Sequence, residues 1–275
     1  MKNPLALSSA FFTEHTVTKW QSVLKAGITE AEISVNSGMT ENLDNYLDEV
    51  EKQYGIITEA GMKVSSFHLP FGKFMDISGP EDETAEKAVE INKKILDWVA
   101  EKVIGISILH GSYEPIVDEE RGTRIDRAIK SIKALGEYSK KKNTILAVEN
   151  LPRSCLGNTS NEILKLIEHG KTALICFDVN HLLIETHKDF YMKTSPHIIS
   201  THLSDYDRTN EKHWIPGDGC IDWKELVGLF ESAGYTGRFL FELTGTAKSS
   251  PNLNRDFTPG ELVSHFLSAT GINAS

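Results

Sequence analysis

Along the chain, short apolar runs alternate with longer stretches whose apolar positions recur every three to four residues. The short runs read LALSSAF, EAEISVNS, KVSSFHLPFG, GISILHGS, TILAVENLP, ALICFDVNH, HIISTHLSDYD and RFLFELTG, and each predicts a strand. Between them, ENLDNYLDEVEKQYGIITEAG, DETAEKAVEINKKILDWVAEK and DWKELVGLFESAGY carry the helical period. Gly27, Gly61, Asn143, Gly170 and Gly234 close several of these stretches, as residues tolerant of left-handed backbone do at helix ends. Strand and helix alternate eight times. That order implies parallel pairing through right-handed crossovers, and eight units in this length fit a closed (β/α)8 TIM barrel better than an open sheet. No Gly-x-Gly-x-x-Gly follows an early strand and no Pro/Gly/Ser-rich linker divides the chain. Residues 1–275 are therefore expected to form a single α/β barrel domain.

The later strands end on residues that a dry core does not want: His68, His110, Glu149, Asp178 with His181, His202 with Asp205, and Glu242. In a (β/α)8 barrel those ends share the C-terminal rim, where active sites are built. Taken singly, each has a structural explanation, a hydrogen-bonded histidine or a helix-capping aspartate. Glu and His are not favoured caps, so their recurrence from the third strand to the eighth points to shared chemistry. Glu149 ends the apolar run LAVE, and a lone buried carboxylate costs several kcal/mol unless its charge is compensated. A divalent cation at the rim would supply that compensation.

The net charge of −10 and the lack of an obvious basic face argue against a nucleic-acid partner, since the run KKKN at 140–143 reads as an ordinary helix end. Cys155, Cys176 and Cys220 are widely spaced with no C-x-x-C, which reads as free thiols in a reducing compartment. The opening MKNPLALSSAFF is too short and polar for a signal peptide, and no apolar run approaches the ~18–20 residues of a membrane span. A cytoplasmic protein with no membrane partner is expected. A homo-oligomer is compatible with these features and not required by them.

The ordered set FHLPFG, VENLP, FDVNH, THLSDYD, HWIPGDGCIDW and FELTG resembles the xylose isomerase-like superfamily of TIM barrels. That group contains sugar and sugar phosphate isomerases and epimerases, and the AP endonucleases of the endonuclease IV type. The resemblance implies one divalent ion (Mn²⁺, Mg²⁺ or Co²⁺, with Zn²⁺ also accommodated) on Glu149, Asp178, His202 and Glu242. It implies proton transfer by Glu149 and Glu242 through an enediolate, with a sugar or small hydroxy-carbonyl compound as substrate. His181 and Arg208 would bind hydroxyls or an anionic group, His68, His110 and His213 would line the pocket, and Trp214 would supply an apolar wall. Arg208 and Trp214 also read as ordinary loop residues. The glycines of PGDGCIDW would let backbone approach the site, and Asp222 would cap the helix beginning at Trp223. No Gly-rich phosphate cradle is evident, which favours an unphosphorylated substrate. The alternative is an endonuclease IV-like trinuclear zinc site. His68, His110, Glu149, Asp178, His181, His202, His213 and Glu242 match its ligand series, with Glu211 where that family has Asp. The acidic balance, few basic rim residues and short loops count against it. A metal-dependent lyase or dehydratase, or a barrel that binds sugar without turnover, would share the same fold.

Overall fold

Two-residue alternation along each strand decides the architecture. In the computed structural model, which describes residues 3–35 and 42–272, the parallel strands close into a barrel in sequence order. They are β1 (Leu5–Ser8), β2 (Glu30–Ser34), β3 (Lys63–His68), β4 (Ile106–His110), β5 (Ile145–Glu149), β6 (Leu174–Asp178), β7 (Ile198–Leu203) and β8 (Phe239–Phe241). After each comes the helix of the same number: α1 (Val17–Lys25), α2 (Leu43–Glu59), α3 (Asp82–Glu101), α4 (Asp118–Lys141), α5 (Ser160–Leu166), α6 (His187–Thr194), α7 (Trp223–Ser232) and α8 (Pro259–Thr270). Every expected run contains its strand. Asn36 and Ser37 of the second run, and Glu41 opening the next helical stretch, lie outside the described residues.

Gly27, Gly61, Asn143, Gly170 and Gly234 all have positive φ, the backbone state expected where helices stop. Thr16, Asn42, Thr159, Thr186, Asp222 and Thr258 open helices by accepting the third helical N–H on a side-chain oxygen. Asp222 thus caps α7 as its sequence context predicts. No described helix is long and apolar enough to cross a membrane.

Outward-facing strand residues such as Leu146, Val148, Ile175, Phe177, Phe239 and Phe241 join the main core with helix side chains including Trp20, Ile132, Phe190 and Phe266. The alternate positions Ile106, Ile108, Ala147 and Cys176 form a separate, smaller cluster inside the barrel. Two residues further along the same inward face stand His110 above Ile108, Glu149 above Ala147 and Asp178 above Cys176. The register then sets these residues side by side, His110 opposite Glu149 and Asp178 opposite His202. A slip of one residue would turn each of them out of the barrel.

Asp205, grouped with the rim residues by its position after β7, is spent on structure. Its Oδ1 accepts from the N–H groups of Tyr206 (2.9 Å) and Ile221 (3.1 Å), and its Oδ2 from Gly217 N–H (2.9 Å) and Trp223 Nε1–H (2.7 Å). Four donors leave this carboxylate no capacity for a ligand, and they fold the 216–223 loop around it. A Cβ on Gly219 would lie 2.2 Å from Asp205 Oδ1 and 2.3 Å from the Tyr206 carbonyl oxygen. The backbone approach that glycine permits here is toward Asp205.

Gly136 in α4 reports on the packing of helix against barrel, because an added Cβ would sit 1.9 Å from the carbonyl oxygen of Thr172. Alanine gains about 1 kcal/mol of helix propensity over glycine, but the clash is with backbone. Gly136→Ala should therefore lower stability by about 1–3 kcal/mol in urea unfolding. Gly55→Ala, at an open position in α2, should raise it by about 0.4–1 kcal/mol.

Candidate metal centre

The Glu149 carboxylate, 1 % exposed, is the point on which the rim converges. Its Oε2 lies 3.2 Å from both His68 Nε2 and His110 Nε2. Its Oε1 lies 3.3 Å from both His181 Nδ1 and His202 Nδ1. Around this hub, Asp178 Oδ2 is 3.5 Å from His181 Nδ1, and Glu242 Oε2 is 3.1 Å from His202 Nδ1. His181 Nε2 is 3.1 Å from Glu211 Oε2.

The protons on three of these imidazoles are fixed by geometry. A carbonyl oxygen only accepts, so Nδ1 must donate in His68 (to Leu69 O, 2.8 Å), His181 (to Asn150 O, 3.0 Å) and His213 (to Glu242 O, 3.1 Å). In the neutral rings Nε2 then carries a lone pair. For His68 that lone pair faces Glu149, and for His181 it faces Glu211. Lone pair against carboxylate is repulsive unless a proton or a cation lies between them. In addition, Asp178 Oδ2 and both ring nitrogens of His202 are buried without a hydrogen-bond partner, an arrangement that is costly unless a ligand completes it.

Candidate ligand atoms lie within 4.8 Å of one another in four groups. One is Glu149, Asp178, His202 and Glu242; the others are His68, His110 and Glu149; His181, Glu211 and His213; and His68, His202 and Glu242. Carboxylate oxygens with imidazole suit a divalent cation such as Mn²⁺, Mg²⁺, Co²⁺ or Zn²⁺. The four-residue group fits best, because it holds the unpartnered Asp178 and His202 atoms.

Electrostatics agree with that reading. Burial would push the Glu149 carboxyl up, but His202, His110 and His181 around it hold it well below the usual carboxylate range. Burial also opposes ionisation of Glu242, and His202 again overrides it downward. Burial pushes Asp178 well above its ordinary value against the pull of His181, with the charges of Glu149 and Glu242 adding to the rise. His181 and His202 are held well above theirs despite burial, His181 by Asp178, Glu149 and Glu211, His202 by Cys176, Glu242 and Glu149.

Polar side chains behind the cluster lock it. Asn150 bridges β5 to β6, accepting from Asp178 N–H (2.8 Å) and donating to the Asp178 carbonyl (2.9 Å). Asn180 accepts from Lys212 N–H at 3.1 Å and so anchors the loop that carries Glu211 and His213. A cavity of about 170 Å³ opens above, with Glu149, Glu242, His110, His181, Glu211 and His213 on its polar side. Phe71, Tyr113, Leu151, Pro152 and Cys155 make the apolar side, and Phe71 stacks on His110 with ring centroids 4.2 Å apart.

The structure brings together Glu149, Asp178, His202, Glu242, His68, His110, His181 and His213. It does not bring Arg208 to them: that side chain is exposed and lines a separate pocket with His187 and Cys220. Trp214 pairs its backbone with Asp205 and its ring lies near Lys212, away from the cavity lining. Sequence reasoning missed Phe71, Arg153 and Glu32. Arg153 bonds Glu114 through Nε (2.8 Å) and lies 2.9 Å from Glu211 Oε1 through Nη1. Nothing local to PRS at 152–154 marks that role; only the meeting of three loops does.

A family model described as xylose isomerase-like TIM barrel matches residues 20–258. The chain belongs to this family. Among solved structures, this xylose isomerase-like barrel is similar to YcjR of E. coli, a 3-keto-D-glucoside 4-epimerase, with 17% identity and a TM-score of 0.75 over 98% of this chain and 100% of that one. It is similar to a D-tagatose 3-epimerase-like protein (18%, 0.73, 98% of each chain). It is also similar to the D-psicose 3-epimerase of Clostridium cellulolyticum H10 (16%, 0.73, 98% and 97%). These likenesses are of fold. The uncharacterized protein y4fM of Sinorhizobium fredii is 22% identical over 247 residues, 80% of this chain and 78% of that protein.

Two measurements check the centre. Elemental analysis should find bound divalent metal in the purified protein and its loss in Glu149→Gln, since Glu149 is common to two of the ligand groups; unchanged stoichiometry would remove Glu149 from the ligands. Mn²⁺ affinity should rise with pH. Asp178 and His202, both in the four-residue group, have raised proton affinities, so a cation must displace protons, and titration calorimetry should show about tenfold tighter binding per pH unit for each proton released.

Proposed function

We propose that this protein is a divalent-metal-dependent sugar isomerase or epimerase that moves a proton beside a carbonyl. One observation carries the reading. Two carboxylates held ionised, Glu149 and Glu242, line one small cavity and also belong to the four-residue ligand group. The similar structures named for epimerisation of sugars support it.

A divalent ion on Glu149, Asp178, His202 and Glu242 would polarise a substrate carbonyl and stabilise the charge developing on its oxygen. The protein supplies the rest. Glu149 approaches from β5 and Glu242 from the end of β8, so one can take a proton from carbon while the other returns one to the opposite face or the next carbon. His181, held through Nδ1 and with its proton affinity raised, can as an imidazolium donate Nε2–H to a substrate oxygen, and His213, also held through Nδ1, can accept a substrate hydroxyl at Nε2. Among the described residues, Arg153 is the one Lys or Arg lining the cavity, and Glu114 and Glu211 neutralise it. A neutral sugar suits such a mouth better than a phosphorylated one.

Incubating candidate ketoses with the enzyme in deuterated water tests the proposal. Proton transfer by carboxylates should wash deuterium into the substrate carbon, read by NMR. Turnover without wash-in would mean a direct hydride shift and would remove the two-glutamate scheme. His181→Ala should keep the ion on the four-residue group and lower kcat/KM by roughly 1.5–3 kcal/mol, the cost of one hydrogen bond to an oxygen gaining charge.

A second reading rests on the separate His68–His110–Glu149 and His181–Glu211–His213 groups, an arrangement suited to several ions and to phosphodiester hydrolysis. Glu211 reaches its group despite standing where an endonuclease IV-type site would carry Asp. A nicking assay on abasic duplex with zinc-loaded protein separates the readings: cleavage abolished by His68→Ala and His110→Ala would favour this one. The acidic, cation-poor mouth predicts none.

A further inference from the structure

His202 is oriented opposite to the other histidines with a fixed tautomer. His68, His181 and His213 donate Nδ1–H to backbone carbonyls and leave Nε2 available. His202 instead turns Nδ1 toward Glu242 Oε2 (3.1 Å), Glu149 Oε1 (3.3 Å) and Asp178 Oδ2 (4.0 Å). Its Nε2 points away from them and lies 3.2 Å from Glu32 Oε1. The two atoms stand at ion-pair distance without a hydrogen bond between them, and both are buried with no hydrogen-bond partner.

Glu32 is fully buried on β2, 0 % exposed, opposite Ser66 in the β2–β3 register. Its Oε2 accepts from Ser66 Oγ at 2.8 Å. Among the described residues, His202 is the basic side chain within ion-pair distance of it. A buried carboxylate with one hydroxyl donor is under-compensated, since an ionised group in a dry interior needs hydrogen bonds or an opposite charge. The Nε2–H of His202 is the donor within reach.

We propose that Glu32 is a positioning residue of the metal centre. From 3.2 Å, and with a small turn of the imidazole, it can accept Nε2–H and so fix the tautomer of His202 that turns the Nδ1 lone pair toward Glu149, Asp178 and Glu242. It does for His202 what backbone carbonyls do for His68, His181 and His213. Ser66 holds the other oxygen and so sets the angle at which Glu32 meets the ring. This rests on the metal reading above, and it concerns how the chain prepares a ligand before any ion arrives.

Three variants test it. Glu32→Gln keeps an acceptor oxygen and loses the charge, Glu32→Met keeps the bulk and loses the acceptor, and Ser66→Ala removes the donor that orients Glu32. Each is measured three ways: Mn²⁺ affinity by titration calorimetry, thermal unfolding of the metal-free protein, and long-range ¹H–¹⁵N NMR of the His202 ring in metal-free and Mg²⁺-loaded protein. Glu32→Met should weaken Mn²⁺ binding by about 10–100-fold, the usual consequence of removing a group that orients a metal ligand. Glu32→Gln and Ser66→Ala should lose less, and the hydrogen-bonded Nε2–H resonance of His202 should disappear in the Met variant. A role confined to filling the core would change unfolding while leaving Mn²⁺ affinity and the His202 resonances as in wild type, and that result overturns the proposal. If the Met variant does not fold, unchanged affinity in both Glu32→Gln and Ser66→Ala overturns it equally. If wild-type protein takes up neither ion, the metal reading fails. The metal-free NMR spectra then decide the Glu32–His202 contact alone, its absence in wild type refuting it.

Discussion

A carboxylate in the dry top of a barrel must be neutralised, and Glu149 imposes that requirement on everything near it. Four imidazole nitrogens, from His68, His110, His181 and His202, stand 3.2–3.3 Å from its two oxygens. Those histidines come from β3, β4, β7 and the turn after β6, so no local segment could assemble the set. Closure of the sheet brings distant strand ends to one rim, and the parallel register fixes their relative heights. The cluster is over-supplied with charge of both signs. Asp178, Glu242 and Glu211 add negative groups, and the pKa shifts run in opposite directions within a few ångströms. Carboxylates and imidazoles pushed apart in this way fit the metal-dependent site proposed above.

The surroundings restrict how that cluster can move. Backbone carbonyls hold His68, His181 and His213 through Nδ1, Asn150 pins β5 to β6, and Asn180 ties in the loop bearing Glu211. Asp205 organises the neighbouring 216–223 loop with four hydrogen bonds. Preorganisation of this kind removes rotamer freedom before a ligand arrives, so less binding free energy is lost to ordering side chains. The Arg153 guanidinium at the cavity is absorbed by Glu114 and Glu211. The mouth is therefore polar without being a cationic trap for phosphate.

The sequence by itself determined the barrel and placed most of the candidate ligands at one rim. Strand positions were legible because an apolar run between turn residues is a local signal, and because inward and outward side chains alternate with a period of two. His68, His110, Glu149, Asp178, His202 and Glu242 stood out because each breaks an apolar run at its C-terminal end, where a barrel builds its site, and the family resemblance singled out Glu149, Asp178, His202 and Glu242 among them. Tertiary structure alone decided the rest. Glu32 was invisible because EAEIS reads as ordinary alternation, with Glu30 two residues earlier pairing with Arg238 and Lys63; only closure of the barrel sets Glu32 against His202. Asp205 and Asp178 both follow strand runs, and the loop fold that surrounds Asp205 with donors is what separates their roles. Arg208 and Trp214 sit within a few residues of His213 in sequence and still point elsewhere. Loop conformation follows from hydrogen bonds to distant segments, whereas strand facing follows from the covalent geometry of neighbouring residues.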